Sequence, residues 1–535
     1  MVAKRARGDT TLRPQFSHIR HHRCCYVALQ LWLYLVPDMG ENNDEPWTPE
    51  ALKLLEIIDV IAFHLEHPRD LLSFSLVARI FVDEVLKRHI KYRHVCAYEH
   101  NRKIWKELKL FPDRTRNVHT LSLSFSGKPI SPSTRVANEN AMVDAVRYMT
   151  GLSCLKITGN RFVRGDFGGL NKLLAEVCAL GGLRTLEIKV FSLGIHDFEA
   201  LCGLSNLVEL YIRSNCGPST VSPGLSRFLT GNLTLERLRL NFNLIPANAL
   251  DLTDYLLSAQ MPHLRSLSLS MYLTPASTLA MAPFIGAHPT IESLHLKFGG
   301  EELMPRLSPG SLPLLNELHC TGKMLEDITN CPINTPRAIR KIGGFRGSHS
   351  DLESLTFRFA DLTAMREVEG VRFDSLMMLR NLAAKCPHLE SMWGISISGY
   401  PKEDAGVEEF KLQCIDAISH FKYLRTFRGI QLFKDMELEG ARRENENVLT
   451  RLISLVPTLH ELDIWGDTDH AKKLIVVERK GAGFTASIAK ESLSGEIRIA
   501  SHFMHCHSPN IASVISPDGA IEYSSNAVMS AMGTP

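Results

Sequence analysis

Four side chains near the end of the chain have the chemistry of metal ligands: His502, His505, Cys506 and His507, in the stretch HFMHCH. Imidazole and thiolate together would suit zinc or a similar transition metal. A structural zinc site needs a second pair at ligand spacing, and none lies nearby, so a solvated tail with no cofactor is expected. GGFRG, Gly343 to Gly347, has the glycines of a phosphate loop without the Lys-Ser/Thr that would complete it, and reads as a turn. Neither G-x-S-x-G nor H-E-x-x-H occurs, and the expectation is a protein without a catalytic centre.

Side chains that do no chemistry must act by binding, and what matters then is the frame that presents them. L-x-x-L-x-L recurs at Leu152, Leu183, Leu207, Leu235 and Leu264, with variants at Ile291, Leu315, Leu352 and Leu459. VHTLSL at Val118 fits, and LESMWG at Leu389 and LRTFRG at Leu424 fit more loosely. Anchors stand 24 to 37 residues apart, enough for a strand and a helix in each repeat. Pro262, Pro289, Pro313, Pro387 and Pro457 each sit two residues before an anchor, where proline ends a helix and holds the chain extended. Three frames run on to Asn160, Asn215 and Asn243, whose amides could satisfy the turn leaving the strand.

The predicted fold class is therefore α/β: a leucine-rich-repeat solenoid of parallel strands with convex helices over 111–466, preceded by a short all-helical segment. Residues 325–350, containing AIRKIGGF, are expected to hide a degenerate repeat. Within the frame the leucines turn inward and the intervening side chains face solvent on the concave side. Those positions include Thr185, Glu187, Lys189, Glu209, Ser266, Ser268, His295, Lys297, Glu461 and Asp463. Tyr211, Arg213, Arg237, Arg239 and Trp465 are the candidates for contacting a protein substrate, the arginines suiting an anionic ligand.

Length and charge bound the partners. The chain has 535 residues, too many for one compact core, which fits an elongated repeat. Sixty Lys and Arg stand against 58 Asp and Glu, which argues against a dedicated nucleic-acid binder. Twelve cysteines are scattered from Cys24 to Cys506 with no C-x-x-C pair, as reduced thiols of the cytosol or nucleus would be. Cys24 to Val36 is apolar for 13 residues, short of the roughly 20 that span a bilayer. No membrane association is expected. Residues 1–46 read as a poorly ordered basic and apolar leader, 47–110 as a helical domain, and 467–535 as a poorly ordered tail.

The helical domain carries more apolar surface than short helices can hide. Glu56-Ile57-Ile58, Ile61, Leu65, Pro68-Arg69-Asp70-Leu71-Leu72, Val77, Arg79 and Phe81 resemble the F-box, with Lys53-Leu54 where that motif has Leu-Pro. Asp70 is read as the cap of the second helix. The order of segments resembles that of the F-box/leucine-rich-repeat proteins common in fungi. The resemblance implies docking on a Skp-family adaptor, and through it a cullin, by Ile57, Ile58, Ile61, Leu65, Pro68, Leu71, Leu72, Val77 and Phe81. It implies a substrate-recognition subunit of an SCF-type ubiquitin ligase. The alternative is a repeat scaffold whose F-box-like region recruits no ligase, the helices only capping the open end of the first repeat.

Overall fold

A computed structural model of the chain describes residues 55–506, except 66–67, 77–80, 83–84, 126–130, 160–167, 192, 194, 216–221, 243–248, 299–305, 322–323, 326–327, 329–336, 348–361, 399–403, 431, 434–440, 465–471, 481–482 and 492–496. The protein is α/β, with mostly parallel strands alternating with helices. It divides into two compact units, Met1–Leu235 with Leu240–Leu244, and Glu236–Arg239 with Ile245–Pro535.

In the first unit, β1 (His94–Tyr98), β2 (Thr120–Phe125), β3 (Cys154–Gly159), β4 (Thr185–Lys189) and β5 (Glu209–Ser214) pair in parallel, each with the next. β2 to β5 begin two residues after an anchor, at Val118, Leu152, Leu183 and Leu207. The two frame residues inside each strand, such as Leu155 and Ile157, are buried while their neighbours are not. Helices close the repeats: Pro132–Val146, Gly168–Leu180, Ile195–Leu201 and Ser222–Thr230. The first starts as its sequence dictates, with Ser131 capping the Thr134 N–H and Pro132 in the first turn. The ladder begins earlier than the Leu frame suggests, at β1, inside the stretch read as purely helical. VCAY lacks the second leucine that would have marked it.

β6 (Arg237–Phe242) follows the Leu235 anchor. In the second unit, β7 (Ser266–Met271), β8 (Ser293–Phe298), β9 (Glu317–His319) and β10 (Lys341–Gly343) continue in parallel. The degenerate repeat in AIRKIGGF is real: Ile339 is its anchor and β10 its strand. β10 pairs directly with β12 (Glu367–Glu369), whose anchor is Met365, so the sheet runs past the frame at Leu352, which lies outside the described residues. β14 (Ser391–Trp393), β16 (Thr426–Phe427) and β17 (Glu461–Ile464) complete the parallel run.

The looser frames are loose for a structural reason. β10, β12 and β14 each end one residue before a glycine with positive φ, Gly344, Gly370 and Gly394, and β16 ends two residues before Gly429. There the chain bends and an apolar residue, Phe345, Val371, Ile395 or Ile430, turns into the core. At three of these bends the next two residues form a second parallel sheet of β11 (Arg346–Gly347), β13 (Arg372–Phe373) and β15 (Ser396–Ile397). GGFRG thus bends at Gly344-Phe345, between the end of β10 and β11, and is one of a series.

The tail departs from expectation. Parallel pairing stops at β17, and β18 (Lys472–Lys480), β19 (Gly483–Glu491) and β20 (Ile497–Cys506) follow as an antiparallel meander. Buried Leu474, Ile475, Val477 and Ala486 hold it. The first of these strands is rich in β-branched and aliphatic residues, a pattern outside the parallel frame. The expected disorder therefore does not extend over 472–480, 483–491 or 497–506.

Candidate functional site

Two surfaces carry the side chains picked out from the sequence. The first is the helical segment. The Leu55–His64 helix, the Pro68–Ser75 helix and the π-turns of Val85–Ile90 close on one core of Ile58, Ala62, Leu65, Leu71, Phe81 and Val85, edged by Ile61, Phe74 and Ile90. The rings of Phe74 and Phe81 lie 4.8 Å apart. Pro68 opens its helix, so Asp70 stands in the first turn and is not the cap, favourably placed against the helix dipole. Of the nine predicted docking residues, Ile58, Leu65, Leu71 and Phe81 are thus interior, and Ile57 and Ile61 are half-buried. Leu72 is 49% exposed, and with Val60 (58%) and Leu76 (70%) it leaves apolar surface outside. The Pro68 side chain and Val77 lie outside the described residues.

Sequence reasoning missed what fastens this segment. Arg93, 1% exposed, donates from its guanidinium to the carbonyls of Ala62 and Phe63, both at 3.2 Å, and of Leu65. Those carbonyls lie at the end of the first helix, where acceptors run out of helical partners, and Arg93 immediately precedes β1. Asp59 makes a second clamp, with one oxygen 2.9 Å from His89 Nε2 and the other 2.6 Å from Arg116. Burial pushes His89 below the ordinary histidine range, against the pull of Asp59. Arg93 and Asp59 are unremarkable in sequence, since only their partners' distance in the chain gives them meaning.

The second surface is the open strand face, taken unit by unit. In the first, Lys156, Glu187 and Tyr211 stand in register across β3, β4 and β5, as do Thr158, Lys189 and Arg213. Glu187 pairs with Lys189 and, at 3.8 Å, Lys156, while the Lys189 ammonium lies 5.0 Å from the centre of the Tyr211 ring. Tyr211 and Arg213 are therefore together on β5. Arg237 and Arg239 are exposed on β6. Trp465 lies outside the described residues.

In the second unit the face carries a row that the sequence reading did not assemble. Ser268, His295, His319, Gly343, Glu369 and Trp393 are successive register partners. The rings of His295 and His319 stack at 3.9 Å, and burial, then mutual repulsion, holds His295 down to about 4. The His319 ring occupies the space a side chain at Gly343 or Gly344 would need. Trp393, 40% exposed, has the Lys341 ammonium 5.6 Å and the Arg428 guanidinium 5.2 Å from its ring centre. Carboxylates hold both cations: Glu369 and Glu367 at 2.8 and 3.5 Å from Lys341, and Glu461 on Arg428. Burial raises the Glu369 carboxyl, but the Lys341 hydrogen bond and charge prevail and lower it. His319, Trp393 and Arg428 occupy solvent positions of LNELHC, LESMWG and LRTFRG, and applying the alternation to those frames would have found them.

Among the described residues, no three His, Cys, Asp or Glu side chains gather as a metal site requires. No helix there is long and apolar enough to cross a membrane; Cys24 to Val36 lies outside them. The chain matches no protein-family model and no curated protein.

Proposed function

We propose that this protein is the substrate-recognition subunit of an SCF-type ubiquitin ligase, an F-box followed by a leucine-rich-repeat solenoid. In this reading the helical segment docks on a Skp-family adaptor, and through it on a cullin, while the open strand face binds a protein substrate. The receptor supplies no reacting group. It raises the effective concentration of a substrate lysine near the conjugating enzyme.

The observation that carries the reading is the helical segment itself. It has completed its own core, is clamped to the first strands, and still presents Val60, Leu72 and Leu76 to solvent. A segment that served only as a cap would gain by having polar residues there. The repeat face supports the other half with an exposed tryptophan held rigidly among charged side chains, the composition of an interface anchor.

A second reading, a repeat scaffold that recruits no ligase, has two observations behind it. Lys53-Leu54 departs from the motif, and Ile58, Leu65, Leu71 and Phe81 are spent on the internal core. Co-purification of the full chain with a recombinant Skp-family adaptor separates the two. Complex formation at micromolar concentration, abolished by Leu72→Asp/Leu76→Asp, is the expected result. An adaptor that ignores the folded wild-type chain leaves the scaffold.

A further inference from the structure

Four histidines lie in or beside the stretches that the Arg93 and Asp59 clamps hold together. His64 ends the first helix, His89 lies in the Val85–Ile90 turns, His94 opens β1, and His119 directly precedes β2. His89 is 1% exposed and His119 is half-buried, its ring 5.0 Å from that of Phe63 on the first helix. His89 already uses Nε2 on Asp59, and its buried Nδ1 has no hydrogen-bond partner, nor has the buried Nε2 of His119. Among the described residues, the groups acting on His89 are Asp59, Arg93 and Arg116, and those acting on His119 are Arg93, His64, His89 and His94. Among the described residues the one carboxylate acting on them is Asp59, already shared between His89 and Arg116.

We propose that this junction is an acid-sensitive latch: in neutral solution it holds the helical segment against β1 and β2, and proton uptake by His89 and His119 releases it while the parallel strands stay folded. The argument stands on placement. A proton on buried His89 is a cation brought beside Arg93 and Arg116 with one carboxylate, Asp59, already shared, and a proton on half-buried His119 is a cation brought beside Arg93. Opening the junction gives each imidazole to solvent, where it takes its proton at the ordinary value.

The direction follows from linkage. Burial, then Arg93 and the neighbouring histidines, lowers His119 to about 4, and burial lowers His89 as well. Groups depressed in the closed form stabilise it fully above about 6.5, and that stabilisation is lost as the pH falls toward the closed-form value. For His119 alone, 6.5 open and about 4 closed shift the opening equilibrium about 30-fold between pH 7.5 and pH 5.

Backbone hydrogen–deuterium exchange of the full chain, read by mass spectrometry at pH 7.5, 6.0 and 5.0 and corrected for intrinsic rates, tests this. Residues 55–93 should lose at least tenfold in protection at pH 5.0, with β3, β4 and β5 unchanged. Exchange at the imidazole C2 position in the same wild-type samples should show His119 titrating well below 6.5. His119→Phe, which keeps a ring against Phe63, should match wild type at pH 7.5 and lose clearly less protection than wild type at pH 5.0. His89→Gln/His119→Gln serves if that variant is unprotected at pH 7.5. Uniform loss across the unit, no loss, a normal His119 titration, or equal loss in wild type and a folded variant would each overturn the latch.

Discussion

The side-chain oxygen of Asn232 accepts a hydrogen bond from the backbone N–H of Leu207, 3.1 Å away and 25 residues earlier. The same amide donates to the carbonyls of Leu204 and Phe228 at 3.1 and 2.9 Å, so all three of these bonds are made in full burial. One polar side chain thereby joins consecutive repeats where neither helix nor strand can satisfy the backbone. His288 does likewise, accepting from Met261 N–H at 2.9 Å and donating to Phe284 O. Arg337 donates to Ser311, Leu312 and Ile328.

Asn232→Leu should therefore destabilise strongly although it adds apolar volume to an apolar surrounding. Three backbone groups lose partners, at a combined cost of about 3 kcal/mol or more. Chemical denaturation should show the loss, and Asn232→Asp should restore only the bond to Leu207 N–H.

The glycine bends make a paired test. Gly429 has φ +120°, and a Cβ there would overlap the backbone N and O of Ile395. Gly181 has φ +68° with nothing within 4 Å of that position. Gly181→Ala should cost about 1 kcal/mol, the strain of the left-handed backbone alone. Gly429→Ala adds a steric clash to that strain and should lower the melting temperature much further. Equal effects would mean that the bend at Gly429 relaxes freely.

Leu238→Asp and Leu267→Asp place a carboxylate at positions 2% and 1% exposed on β6 and β7. Each should cost several kcal/mol, read as loss of the cooperative melt. Arg239→Glu, one residue from Leu238 but exposed, should melt within about 0.5 kcal/mol of wild type.

In the helical segment, neighbouring leucines should behave oppositely. Leu71→Ala hollows a fully buried site and should cost about 3 kcal/mol of local stability. Leu72→Ala, at a half-exposed site, should leave the fold intact. Circular dichroism beside an adaptor-binding measurement distinguishes the two, and a Leu72→Ala that unfolds the segment would contradict the core described above.

These pairs also mark how far the sequence could be read. Strands behind Leu anchors were legible to the residue, because burying one edge fixes both period and register. The rung at Ile339 was expected only as a degenerate repeat within 325–350, and that at Met365 was missed, because after the strand the chain bends at glycine and the third apolar residue comes late. Thr234, Thr290 and Thr458, one before their anchors, each donate to the preceding anchor's carbonyl at 2.8 Å. That repetition was visible, and its meaning needed the neighbouring rung. The docking candidates were found as apolar helix residues, but which ones face inward depends on where the Val85–Ile90 turns fold back, and no local pattern states that. The row from His295 to Trp393 required a register spanning some hundred residues.

The antiparallel meander has a bearing on where the protein can be cut. β17 gives one edge to β16 and the other to β18, so the last parallel rung has no exposed edge of its own. A chain stopped at Gly466, where the repeat frame ends, would present that edge bare, as a template for pairing with other molecules. The stretch that looks most dispensable in sequence is what covers the edge of the last parallel rung, and a boundary placed before β18 would strip that cover away.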